Sequence, residues 1–169
     1  IVLGLAFALR AVGDVGDDPC RVRPFLDLVI EPAAIDCKRD ATREILDEGE
    51  GARIAEDQGA DVIDINMGCP TREVTGKAAG SALMRDLDHA LRLIDATVGA
   101  VSVPVTLKMR LGWDHNSINA PELAQRAEAA GVKLITVHGR TRCQFYKGEA
   151  DWSAVRAVRD AVKIPLVVN

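Results

Sequence analysis

Three short stretches of the chain gather side chains able to move protons or hold anions. In Asn66-Met67-Gly68-Cys69-Pro70, a thiol stands between a residue with no side chain and one with a fixed φ. That places Cys69 on a constrained turn, where it can act as an acid or a nucleophile. The competing reading is a cysteine that merely fills space as a small apolar residue. That reading, or simple exposure, is preferred for Cys20, Cys37 and Cys143. In the second stretch Lys108 and Arg110 alternate with Leu107 and Met109, so a strand there turns both cations to one face. Cations held on an inner face need polar or anionic partners, such as a cofactor ring edge, a phosphate or a carboxylate. A structural network with carboxylates is the alternative, but few acids lie nearby in sequence. In the third stretch, His138-Gly139-Arg140-Thr141, the histidine can hydrogen-bond a cofactor and the arginine can meet a phosphate. A satisfied structural histidine is the competing reading. His89, among charged residues, and His115, in a loop, read as surface groups.

Reactive groups need elements to hold them, and the pattern from about Gly51 onward supplies these. Val62–Asn66, Val103–Met109, Leu134–His138 and Ile164–Val168 are short apolar runs of strand type. Between them, Leu83–Val98, Pro121–Ala130 and Trp152–Val162 carry apolar residues at helical spacing. Pro121 suits the first turn of its helix. Near-continuous apolar strands alternating with helices imply a parallel sheet covered on both faces. A doubly wound open sheet and a (β/α)₈ barrel both fit. Asn66, Lys108, Arg110, His138, Arg140 and Asn169 all fall at or just past strand C-termini. Polar groups after four successive strands favour the barrel, whose sites draw on many strand ends, over the open sheet with its single switch point. A complete barrel takes roughly 250 residues, so about half of one is visible. Gly76 and Gly80, with small residues between them, precede a helix and can be read as an anion site. Their spacing matches neither common glycine-rich phosphate loop, so the stretch is read as flexible loop.

Composition narrows the function classes. Of 169 residues, 48% are hydrophobic and 27% charged, as in ordinary globular domains. Aromatics are only 4%, which disfavours an extended base-stacking surface. The net charge of −4 gives no hint of a nucleic-acid partner, although a basic rim can sit on an acidic body. The four cysteines show no C-x-x-C pair, so neither a disulfide framework nor a structural zinc site is expected. A reducing cytoplasm is the natural compartment. The apolar run Ile1–Leu9 lacks a basic leader and is too short to span a bilayer. Residues 1–50 yield no clean β-α-β unit, although Pro24–Ile30 reads as a strand and Arg43–Glu56 as a helix. The expected organisation is an atypical segment over 1–50 and a partial barrel over 51–169.

Taken together, these stretches resemble the tRNA-dihydrouridine synthase family of bacterial type. The resemblance rests on Asp64-Ile65-Asn66-Met67-Gly68-Cys69-Pro70, on Val105 through Trp113, and on His138 through Gln144 followed by Tyr146-Lys147-Gly148 and Asp151-Trp152. It covers about Gly51 to Asn169. It implies a TIM barrel, partial here and incomplete at the C-terminus, that holds FMN and reduces uridine in tRNA to 5,6-dihydrouridine. NADPH would reduce the flavin, flavin N5 would deliver hydride to C6, and Cys69 would protonate C5. Lys108, His138 and Asn169 would fall on the flavin. Asn66, Arg110, Arg140 and Gln144 would fall on the substrate side, with Arg140 near flavin or tRNA. No metal and no membrane enter this scheme.

Two departures accompany the resemblance. The family opens with a Pro-Met-x-Gly-Val-Thr-Asp-like flavin motif that residues 1–50 do not match. It also continues beyond the position of Asn169 with a flavin-phosphate region and a helical tRNA-binding domain. A divergent segment, an upstream fusion and a frame-shifted reading all remain open for residues 1–50. Two rival functions remain open too. One is another FMN barrel such as dihydroorotate dehydrogenase, which the Lys-Met-Arg-Leu-Gly-Trp and His-Gly-Arg-Thr-Arg segments disfavour. The other is an inactive fragment that binds neither flavin nor tRNA.

Overall fold

The computed structural model describes residues 6–9, 49–76 and 79–169. The strand expected over 24–30 lies outside the described residues, as do residues 43–48 of the helix expected over 43–56, which begins at Glu50 after Gly49. In chain order the elements are β1 (Ala6–Leu9), α1 (Glu50–Asp57), β2 (Val62–Met67), α2 (Arg72–Thr75), a 3₁₀ turn (Gly80–Arg85), α3 (Leu87–Ala100), β3 (Val105–Arg110), α4 (Ala120–Ala130), β4 (Leu134–His138), α5 (Trp152–Ala161) and β5 (Leu166–Val168).

Among the described residues, five strands join one sheet in the order β1-β2-β3-β4-β5. From β2 onward each strand pairs in parallel with its successor. An open doubly wound sheet reverses direction at a switch point, whereas this order never reverses, which is the winding of a barrel. Strand order thus settles the choice that residue pattern left open: the chain is α/β, with four parallel strands forming a partial TIM-barrel-like segment. β1 runs antiparallel to β2 and departs from that winding.

Local chemistry sets the element ends. One helix was expected over 83–98, but two elements stand there. Asp86 leaves the helical conformation, and its carboxylate accepts the His89 backbone N–H at 3.0 Å, so α3 begins after it. Strand β3 begins at Val105, two residues later than expected, because Glu56 draws the backbone N–H groups of Ser102 and Val103 away from the ladder. Pro104, lacking an N–H, offers its carbonyl to Ile63. Pro121 does occupy the first turn of α4, which ends on Gly131 at φ 107°. Asp151 caps α5 through the Ala154 N–H at 2.9 Å.

The strands divide their residues by face. Ile63, Ile65, Met67, Val105, Leu107, Met109, Ile135 and Val137 are buried under the helices. There they join Ala52, Ile94, Leu123, Ala127, Val155 and Val158 in one core. The intervening residues Asp64, Asn66, Thr106, Lys108 and Thr136 form the opposite, polar and half-buried face. Leu107 is wholly buried at the centre of the apolar face. Leu107→Ala should therefore cost about 2–5 kcal/mol of stability, whereas Lys133→Ala at an exposed site should stay within about 0.5 kcal/mol. Denaturant unfolding of the two variants checks the contrast.

Candidate active site

Strand register assembles the site in rows. Asn66 lies opposite Lys108, which lies opposite Thr136. Arg110 lies opposite His138, and Asp64 opposite Thr106. The rows stack toward the strand C-termini, and the loops following β2, β3 and β4 close over them.

Cys69 is half-buried on the loop after β2, with Sγ 3.5 Å from Thr71 Oγ1. Asn66 shapes that loop, since its Oδ1 accepts the Gly68 N–H at 2.9 Å. A side-chain carbon at Gly68 would lie 3.6 Å from Asn66 Oδ1 and 3.7 Å from Lys108 Nζ, so the two polar groups flank the bare backbone there.

The two cations behave differently. Burial lowers the Lys108 pKa, as does Arg110, while Asp64 and Cys69 oppose the shift. Asp64 is the acid that sequence inspection missed. It faces Lys108 from the neighbouring strand and accepts the Thr106 hydroxyl at 2.6 Å. Burial raises its pKa, against the pull of Thr106 and Lys108. Its signal was the same two-residue period, continued back from Asn66. Arg110 is only 2% exposed and meets backbone rather than a carboxylate. Its Nε donates to Gly68 O at 2.8 Å, and its Nη1 to Thr141 O at 3.0 Å and Phe145 O at 2.8 Å. The guanidinium also lies 5.5 Å from the Tyr146 ring centroid. The Tyr146 ring also meets His138 edge-on at 6.4 Å.

His138 is buried, and its Nδ1 has no hydrogen-bond partner. Burial, then Arg110, Lys108 and Arg140, push its pKa down to about 4. The imidazole is therefore neutral at physiological pH, with one ring nitrogen awaiting a partner.

The remaining expected site residues lie further out. Arg140 donates through Nε and Nη2 to Gly148 O at 3.2 and 2.8 Å. Gln144 Oε1 accepts the Thr141 N–H at 2.8 Å and so braces its own turn. Asn169 is exposed; its backbone N–H donates to Val137 O and its carbonyl accepts the Gly139 N–H. The structure thus gathers Asn66, Cys69, Lys108, Arg110 and His138, with Arg140 and Gln144 on the loop above and Asn169 at the sheet edge. Gly80 opens the 3₁₀ turn, and the Ser81 N–H there donates to Cys69 O. Among the described residues no group of three or more His, Cys, Asp or Glu side chains gathers to hold a metal, and no helix is long and apolar enough to cross a membrane.

The pKa of His138 has a measurable consequence. Unfolded, the imidazole protonates near 6.5; folded, it resists until about 4. The unfolded chain therefore takes up the proton first, and His138 makes stability fall as pH drops through that window. Asp64 acts with the opposite sign at the acid end, because its protonation in the fold relieves a burial cost. Unfolding midpoints should decline less on acidification in His138→Gln than in the wild type. An NMR titration of His138 should show its midpoint near 4, and Lys108→Met should move it upward by removing a like charge.

Comparison with known proteins agrees with this geometry. The sequence model of the family described as Dihydrouridine synthase (Dus) matches residues 44–169. A "Probable tRNA-dihydrouridine synthase" of Rhizobium leguminosarum bv. phaseoli is 68% identical over 120 residues, covering 71% of this chain and 38% of that protein. One from Rhodobacter capsulatus is 64% identical over 129 residues, covering 76% of this chain and 40% of the other. "tRNA-dihydrouridine synthase B" of Pseudomonas aeruginosa is 48% identical over 127 residues, covering 72% and 38%. The chain thus spans about two fifths of the length of these curated relatives. Among solved structures, one titled as a "putative phosphonomutase" from Burkholderia cenocepacia J2315 superimposes with a TM-score of 0.53 at 16% identity, over 74% of this chain and 52% of that one. At that identity the likeness concerns the fold alone. With three quarters of its length matched by the family and its strand-end residues gathered as described, the chain belongs to the dihydrouridine synthase family.

Proposed function

We propose that this chain carries the proton-donating loop and part of the flavin-facing wall of an enzyme that reduces uridine in tRNA to 5,6-dihydrouridine. One observation carries the reading within the family: a half-buried thiol faces two cations beside a buried, neutral histidine whose Nδ1 has no partner.

These residues fit FMN. Lys108, through its ammonium, and His138, through its unpaired ring nitrogen, would hold the flavin, with Asn169 on the same rim of strand ends. When bound, FMN supplies the hydride taken by C6 of the base, with NADPH as the source of electrons. Cys69 holds the proton for C5. As the C5–H bond forms, the S–H bond breaks and leaves a thiolate, which Lys108 and Arg110 stabilise from within the site. Asn66 and Arg110 set the position of that thiol while bordering the substrate. Arg140 and Gln144 shape the rim through which a flipped-out uridine enters, since the base has to leave its stack to reach a recessed site. The cytoplasm is the compartment this reading implies.

Two measurements test the proposal. Titration of the chain with FMN, followed by flavin fluorescence, should show binding that weakens about 10-fold or more in Lys108→Ala, the loss expected for one charge-assisted hydrogen bond. Cys69→Ala should keep flavin binding. It should lower NADPH-dependent formation of dihydrouridine on unmodified tRNA by about 10²–10⁴-fold, the usual contribution of a general acid. An FMN-binding chain whose tRNA reduction is indifferent to Cys69 overturns the role of the thiol. A chain that binds no FMN supports the inactive alternative.

A further inference from the structure

The Cys69 loop is held in an unusual way. Three consecutive carbonyls, those of Gly68, Cys69 and Pro70, each receive side-chain donors from a different segment. Arg110 on β3 donates Nε to Gly68 O at 2.8 Å. Ser81 in the 3₁₀ turn donates Oγ to Cys69 O at 2.8 Å and its backbone N–H to the same oxygen at 3.0 Å. Arg142, beyond β4, donates Nε to Pro70 O at 3.2 Å. The Arg142 guanidinium is itself stacked 4.7 Å from the Trp113 ring centroid, which also receives Arg85 at 4.9 Å.

The central contact is the most specific. Ser81 is wholly buried, and both its donors converge on the carbonyl of the cysteine itself. Gly80 stands at φ 57°, and a side-chain carbon there would lie 2.9 Å from Cys69 O and 3.2 Å from Cys69 Cβ. The backbone of the turn can therefore approach the cysteine only because residue 80 has no side chain. Nothing in the sequence pattern marked Ser81, whose partner lies twelve residues away across a loop.

We infer that Gly80 and Ser81 form the seat of the catalytic loop, and that Ser81 is a positioning residue that fixes the Cys69 thiol. The inference rests on the reading of Cys69 as the proton donor, but its test needs neither flavin nor tRNA. The sulfur is half-buried while the loop is seated, so its alkylation rate rises with any opening of the loop. Removing one hydrogen bond from the closed state shifts that opening by about fivefold.

The experiment is alkylation of the folded chain by iodoacetamide, with the Cys69 and Cys143 peptides quantified by mass spectrometry over time. Cys143 is exposed and serves as the internal reference. In Ser81→Ala, which keeps the volume and the backbone donor, the Cys69 rate should rise about fivefold while the Cys143 rate stays constant. Gly80→Ala should produce the same selective rise by displacing the loop without touching the hydroxyl. A rise of both thiols together reports general loosening of the fold and overturns the inference, as does an unchanged Cys69 rate in both variants.

Discussion

Parallel register is the constraint on which the rest of this structure depends. Because side chains alternate along a strand, a slip of one residue between β2 and β3 would send Asn66 into the core and Ile65 into the site. The buried set Ile63, Ile65, Met67, Leu107, Met109 and Ile135 forbids that slip by its apolar area. The same pairing that packs the core therefore lines up Asn66 with Lys108, and Arg110 with His138. Core and site are two faces of one register.

Among the described residues, charge on the inner face is then managed without a conventional ion-pair network. Lys108 faces Asp64, whose carboxyl is held by the Thr106 hydroxyl. Arg110 is surrounded by the carbonyl oxygens of Gly68, Thr141 and Phe145, which solvate the guanidinium in place of water. That arrangement joins the loop bearing the thiol to the loop bearing Tyr146 and Gln144. A cation in such a place organises two loops at once, because each carbonyl it binds fixes a peptide plane. His138, between these cations, remains uncharged and able to hydrogen-bond as a neutral ring.

Much of the fold was legible because its signals are local. The four apolar runs became β2 to β5, and Pro121 opened α4 where its fixed φ belongs. The misplaced ends have causes that periodicity does not register: Asp86 breaks a continuous apolar stripe into two elements, and Glu56 reaches across to take the backbone donors ahead of β3. The three motif stretches named the strand-end residues that the fold gathers. They could not reveal what each side chain touches.

The amino-acid sequence by itself determined the alternation of strands and helices, the polar strand-end residues Asn66, Lys108, Arg110 and His138, and the family. The first two follow from residue type at spacings of two to four, which chain geometry alone converts into faces, and the family follows from the three motif stretches. Only the tertiary structure decided that the sheet winds as a barrel, since both α/β architectures share one periodicity and differ in strand order. It alone gave Arg110 to Gly68 across 42 residues and Arg142 to Pro70 across 72. Contacts at such separations depend on how the strands are ordered and registered, and no local pattern encodes that choice.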